Sequence, residues 1–145
     1  MRPLGEFASK AAYHYQTVRC NVDLLKLIQL GITLFSASGD MPPPQPPTSS
    51  PASRNGLVQC PCTWNFNFSF SPNTDMCNED SIFVLRKAGV DFQRHQTQGI
   101  TPEEFGSLLV TSGLILNDDV HWISFHAGYD FAYICLLYTS PSPRD

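Results

Sequence analysis

An eight-residue run near the middle of the chain, TWNFNFSF at residues 63–70, most restricts what this sequence can fold into. Its aromatic residues occupy every second position, with threonine, asparagine and serine between them. Because successive side chains of a β-strand point to opposite faces, the run predicts a strand with one aromatic and one polar face. The aromatic face consists of Trp64, Phe66, Phe68 and Phe70. Burial of this face under a helix is the favoured interpretation, and a base-stacking platform for nucleic acid is the alternative.

A second strand is predicted upstream, at residues 27–35, where the apolar residues of LIQLGITLF also alternate. Between the two runs lies a proline-rich segment, residues 40–56, in which six of the 12 prolines of the chain fall. This composition is typical of an exposed polyproline-II-like or disordered loop. We therefore predict an antiparallel pair of strands joined by a solvated insertion, with an SH3-type ligand as the alternative interpretation of the loop.

Three helices are predicted from apolar spacing and from signals at their ends. Residues 8–25 repeat apolar side chains at helical spacing. Residues 78–89 place acids before the first turn and glycine after the last, and residues 100–113 begin with a capping box. We expect the acids, Glu79 and Asp80, to stabilise the helix start rather than to bind metal.

The run VHWISF at residues 120–125 predicts a short buried strand, and a further helix is expected to begin soon after it. Helices and strands that alternate in this way indicate an α/β fold. Ligands of open α/β sheets bind beyond the carboxyl ends of the strands, which is where Asp130 lies. From the residues alone, Asp130 is equally a ligand for a hard cation or a cap of the next helix.

The composition excludes some classes of function. With 9 Lys+Arg against 13 Asp+Glu, the net charge of −4 lacks the basic footprint of a general nucleic-acid binder. The apolar stretch at residues 131–138 is far shorter than the roughly 20 residues of a membrane span, so no membrane association is expected. Five cysteines without regular spacing fit a reducing compartment.

Cysteine and histidine offer one weak candidate for a metal site. Cys60 and Cys62 form a CPC pair, and Cys77 and His95 are loose candidates to complete the four ligands that zinc needs. Because the spacing does not match a known zinc motif, we interpret the cysteines as free thiols.

Four segments resemble the Caf/Pop-type deadenylases, the poly(A)-specific 3′ exoribonuclease subunits of the CCR4-NOT complex. They are RPLGEF at 2–7, YHYQTVRCNVDLLKLIQLGITL at 13–34, CTWNFNFSF at 62–70 and VHWISFHAGYDFAY at 120–133. The resemblance implies an α/β, ribonuclease-H-like fold of the DEDD exonuclease class. It also implies 3′-to-5′ shortening of poly(A) RNA in the cytoplasm and nucleus.

The resemblance further implies a metal site. Enzymes of the DEDD class use four carboxylates to hold two divalent ions, here expected to be Mg²⁺. The YDF of the family's second exonuclease motif matches residues 129–131. Asp130 would therefore be a catalytic residue and one of the four metal ligands, while Tyr129 and His126 would support the local structure.

Partner surfaces are implied in the same way. Cys20 and Leu24, four residues apart on one helical face, resemble the surface that holds the leucine-rich repeats of a partner nuclease. The segment that ends near Val110 resembles the region that docks on the large scaffold subunit of the complex.

Other parts of the family pattern have no match in this sequence. The family's Asp-x-Glu motif lies before the RPLGEF segment, and its third-motif Asp and catalytic His lie beyond Asp130. We therefore expect residues 1–134 to be a partial deadenylase domain that lacks the first strand and the C-terminal half and is inactive alone. A non-catalytic interaction module that keeps only the partner surfaces is the alternative.

Residues 135–145, CLLYTSPSPRD, depart from the family pattern abruptly. They resemble the in-frame translation of a sequencing adapter, so we expect them to be an artefact of an incomplete transcript. A genuine tail with Ser-Pro phosphorylation sites at Ser140 and Ser142 is the alternative.

Overall fold

The computed structural model describes residues 2–43 and 62–139. In these residues five helices and two strands occur in the order α1 Lys10–Leu24, β1 Gln29–Thr33, β2 Thr63–Asn67, α2 Glu79–Lys87, α3 Phe92–Gln98, α4 Pro102–Thr111 and α5 Gly128–Thr139. The chain divides into two compact units. One unit is residues 29–66, and the other combines residues 1–28 with residues 67–145.

The smaller unit contains the predicted strand pair. β1 and β2 form a two-stranded sheet, in which the amide of Leu34 donates to the carbonyl of Cys62 at 2.7 Å. The hydroxyls of Thr33 and Thr63 lie 3.0 Å apart, so the residue before Leu34 faces the residue after Cys62 and the strands are antiparallel. Most of the predicted proline-rich loop, residues 44–56, lies outside the described residues.

The core of the larger unit begins where β2 ends. Phe68 is fully buried and its ring meets Phe105 of α4 edge to face, with 5.2 Å between ring centroids. Phe70 is buried against Phe92 of α3 at 5.7 Å. Burial of the aromatic face is therefore confirmed for these two phenylalanines, which cannot stack on a base. Trp64, at the other end of the row, stays 37% exposed.

The ends of the predicted helices follow the local signals. Ser9 caps α1 by accepting a hydrogen bond from the amide of Ala12 at 3.1 Å. Thr101 and Glu104 form both bonds of the capping box at the start of α4. Gly89, just after α2, adopts a φ of +92°, which glycine tolerates better than any other residue. The three predicted helices are thus confirmed, and Glu79 and Asp80 lie in the first turn of α2.

Helix α3 was not predicted, because its seven residues, FQRHQTQ, have no apolar stripe. Its start is marked by Asp91, whose carboxylate accepts from the amides of Gln93 and Arg94. His95 in this helix is buried, and its Nδ1 lies 2.8 Å from the carbonyl oxygen of Phe68. The hydrogen bond ties α3 to the residue that follows β2.

The prediction of a buried strand at residues 120–125 is wrong. The run forms no regular element, and the side chains of Ile123 and Phe125 are 77% and 92% exposed. The physical reason is that a strand needs a hydrogen-bonded neighbour, and no described residue pairs with this run. Trp122 instead anchors it, since its indole N–H donates to the carbonyl of Leu114 at 2.9 Å.

The further helix expected after this run is α5, which packs against α1 and α4. The hydroxyl of Tyr133 donates to the carbonyl of Leu25, just beyond α1, at 2.9 Å. Gly106 of α4 lies directly against the carbonyl of Leu137. Residues 135–139 complete this helix and residues 140–145 lie outside the described residues, so the origin of the tail stays a prediction. None of the described helices has the length and apolar character needed to cross a membrane.

Candidate functional site

Asp130 is the third residue of α5, where the positive end of the helix dipole favours a carboxylate. Its side chain is exposed, and Oδ2 accepts a hydrogen bond from the hydroxyl of Ser124 at 2.8 Å. The carboxylate therefore holds the segment before α5 to the first turn of the helix. Sequence reasoning did not find Ser124, because a contact across an irregular segment leaves no periodic signal.

A two-ion centre needs more ligands than surround Asp130. Mg²⁺ prefers near-octahedral oxygen coordination, and a two-ion site bridges its ions with several carboxylates. In the ranges 2–43 and 62–139, no three His, Cys, Asp or Glu residues come close enough together to hold a metal ion. The described residues do not fit the implied pair of ions, and no catalytic step can be assigned to them.

The weak zinc candidate has no support in the described residues. The thiols of Cys62 and Cys77 are free, as the interpretation from the sequence expects. His95 is 4% exposed and makes its hydrogen bond to the backbone of Phe68. Cys60 lies outside the described residues.

His126 and Tyr129 flank the turn that leads into α5. His126 has a φ of +59°, in the left-handed region, and its carbonyl accepts from the amide of Gly128 at 2.8 Å. Its backbone therefore shapes the turn, and its ring lies beside that of Phe125, with centroids 5.4 Å apart. Tyr129 is 44% exposed. Their supporting role in an active site stays a prediction.

The implied partner residues lie at accessible positions. On α1, Cys20 is half-buried and Leu24 is exposed; on α4, Val110 is exposed. Leu24 borders a groove of about 420 Å³ between the end of α1, the start of α4 and the second half of α5. Tyr133 also lines this groove, and burial, together with the neighbouring Tyr129, raises its pKa.

A family model described as CAF1 family ribonuclease matches residues 5–104. The chain belongs to this family. The match covers α1 to the start of α4 and ends before Asp130, so the candidate metal ligand lies outside it.

Individual relatives agree with this assignment. The poly(A) ribonuclease pop2 of Schizosaccharomyces pombe is 46% identical over 99% of this chain. A structure of S. pombe Pop2p in a Mg²⁺- and Mn²⁺-bound form matches all of the chain with 44% identity and a TM-score of 0.77. A yeast NOT1 MIF4G domain co-crystallised with CAF1 gives a match over 98% of the chain, with 37% identity and a TM-score of 0.68.

These structural matches confirm the predicted α/β, ribonuclease-H-like fold of the DEDD class, here as a partial domain. The chain spans 38% of the length of the S. pombe ribonuclease, 52% of the Pop2p chain and 48% of the matched chain in the NOT1 structure.

Proposed function

We propose that this chain is part of a poly(A)-specific 3′-to-5′ exoribonuclease that shortens the poly(A) tails of messenger RNA. The observation that carries the proposal is the match to Pop2p over the whole chain, at 44% identity and a TM-score of 0.77. At that identity the relationship extends beyond fold to the local sequence, including the segments around α1 and β2.

The proposed cofactor is a pair of divalent ions, with Mg²⁺ the expected metal. The S. pombe protein, solved in a Mg²⁺- and Mn²⁺-bound form, supports this choice. Two such ions activate water for attack and stabilise the leaving oxygen of a phosphodiester. Asp130 would supply one ligand, and because one carboxylate cannot hold two ions, we propose that the 145 residues alone do not hydrolyse RNA.

The proposed partners are two other subunits of a CCR4-NOT complex. The co-crystal of yeast NOT1 with CAF1 supports a scaffold contact, which we place at Val110 on α4. We propose that Cys20 and Leu24 on α1 contact a leucine-rich-repeat nuclease, since both lie at accessible positions four residues apart. Deadenylation of this kind would take place in the cytoplasm and nucleus.

The metal role of Asp130 can be tested in the longer product of this transcript, recovered by long-read sequencing. Asp130→Asn should lower the rate of 3′ shortening of an oligoadenylate by roughly 100-fold or more, because a lost metal ligand removes charge at the reacting phosphate. Asp119→Asn, at an exposed acid in a turn, is the matched control and should keep full activity. Equal rates for the two variants would reject Asp130 as a ligand.

The second candidate function is a non-catalytic interaction module. It is favoured by the exposure of Leu24 and Val110 together with the lack of a metal-binding cluster in the described residues. If this function is correct, a form limited to these 145 residues should co-purify with the scaffold subunit from cell extract. Its absence from the extract would remove this candidate.

A further inference from the structure

The segment of residues 120–125, here called the VHWISF segment, has an almost entirely unbonded backbone. Its only backbone–backbone hydrogen bond within the described part of the chain runs from the amide of Val120 to the carbonyl of Asn117 at 3.1 Å. Valine, isoleucine and the aromatic residues favour strands, and the segment has no proline or glycine. Its free N–H and C=O groups are therefore available to pair with another strand.

One face of the segment is held by its own chain and the other is open. Val120 and Trp122 are half-buried, with the indole of Trp122 bonded to Leu114. Ile123 and Phe125, on the opposite face of an extended segment, are 77% and 92% exposed. Two large apolar side chains on one open face, beside a free backbone, are the features of an edge that recruits another chain.

The charges around the segment favour a second copy of the same chain as its partner. The segment contains no Asp, Glu, Lys or Arg, so two identical copies can lie side by side without mutual repulsion. Asp118 and Asp119 precede it. Parallel pairing would place these acids opposite their equivalents, whereas antiparallel pairing separates them by about 20 Å, the length of a six-residue strand.

We propose that the VHWISF segment pairs with the VHWISF segment of a second copy, antiparallel about a two-fold axis at Ile123, to form a homodimer. In this register Ile123 faces its equivalent, and Phe125 of each copy faces His121 of the other. The exposed apolar side chains of both copies then share one face and cover each other, which the hydrophobic effect favours. A two-fold contact uses the same surface on both chains and closes at two copies.

Sedimentation velocity of the 145-residue chain, over a roughly hundredfold range of concentration, tests the proposal. The mass should rise from 16.2 kDa to twice that value, and the amides of the VHWISF segment should become protected from hydrogen exchange in the dimer. A monomer at every concentration would overturn the proposal. Protection within a monomer would overturn it too, because another part of the same chain would then cover the segment, and so would an open series of larger species.

Charge variants at the axis separate pairing from misfolding. Ile123→Lys and Ile123→Glu each place like charges opposite one another and should weaken self-association at least tenfold. An equimolar mixture of the two should restore the dimer, which a folding defect would not allow. Phe83→Lys, at an exposed phenylalanine of α2, is the control and should dimerise like the unchanged chain. Loss of the dimer in the control, or failure of the mixture to recover it, would contradict pairing at Ile123.

Discussion

At the scale of single residues, the ion pair between Lys26 and Asp75 is the strongest charged contact in the larger unit. Lys26 Nζ lies 2.6 Å from Asp75 Oδ1, and the amide of Ser71 donates to Oδ2 at 2.8 Å. Burial acts to raise the pKa of the Asp75 carboxyl, but the hydrogen bonds from Lys26 and Ser71 and the Lys26 charge lower it below 3.8 overall. The side chain is 11% exposed, so this contact is partly shielded from solvent.

Asp75→Asn should lower the free energy of unfolding by about 1–2 kcal/mol at neutral pH, because two hydrogen bonds to a charged acceptor are weakened. The folded-state pKa is depressed, so the unfolded chain takes up the proton first. The stabilisation is therefore present above the unfolded pKa and is lost as the pH falls through the folded value, below 3.8.

Urea unfolding as a function of pH, on the unchanged chain and the variant, measures this difference directly. The gap between the two should be constant near neutral pH and should shrink as the pH falls below 3.8. Asp118→Asn, at an exposed turn acid, is the control and should show little effect at any pH. A gap that widens on acidification would contradict the assigned direction of the pKa shift.

At the scale of elements, the sequence predicted those whose structure is encoded locally. The capping box of α4, the acids of α2 and the aromatic alternation of β2 each depend on neighbours a few residues away. α3 escaped prediction because its burial depends on the distant partners Phe68 and Phe70 rather than on its own periodicity. The strand expected at residues 120–125 failed for the converse reason: its residues favour a strand, but strand pairing is a property of two segments.

The contact between α4 and α5 depends on a glycine. A Cβ at Gly106 would collide with the carbonyl oxygen of Leu137, so Gly106→Ala should force the helices apart and cost about 1–3 kcal/mol of unfolding free energy. Gly128→Ala is the matched control, because nothing lies within 4 Å of a Cβ there. Thermal unfolding of both variants checks the prediction, and equal midpoints would show that residues 135–139 do not pack on α4.

At the scale of the whole molecule, family membership and the geometry of the site give different information. The ordered motifs in the sequence were sufficient to predict the family, the fold class and the two-ion chemistry. They were not sufficient to predict where Asp130 would find its partner, since Ser124 lies in a segment without regular structure. A site built from several carboxylates far apart in sequence depends on the complete fold, and the described residues bring only Asp130 of that set into place.

The central claim is that this chain belongs to a poly(A) exoribonuclease whose catalytic centre requires residues beyond those described. The most direct test is the rate at which a 5′-labelled oligoadenylate is shortened from its 3′ end, with Mg²⁺ present, by the 145-residue chain and by the longer product of the same transcript. We expect the longer product to remove adenylates one at a time and the 145-residue chain to leave the RNA intact. Shortening by the 145-residue chain, or an inert longer product, would contradict the account.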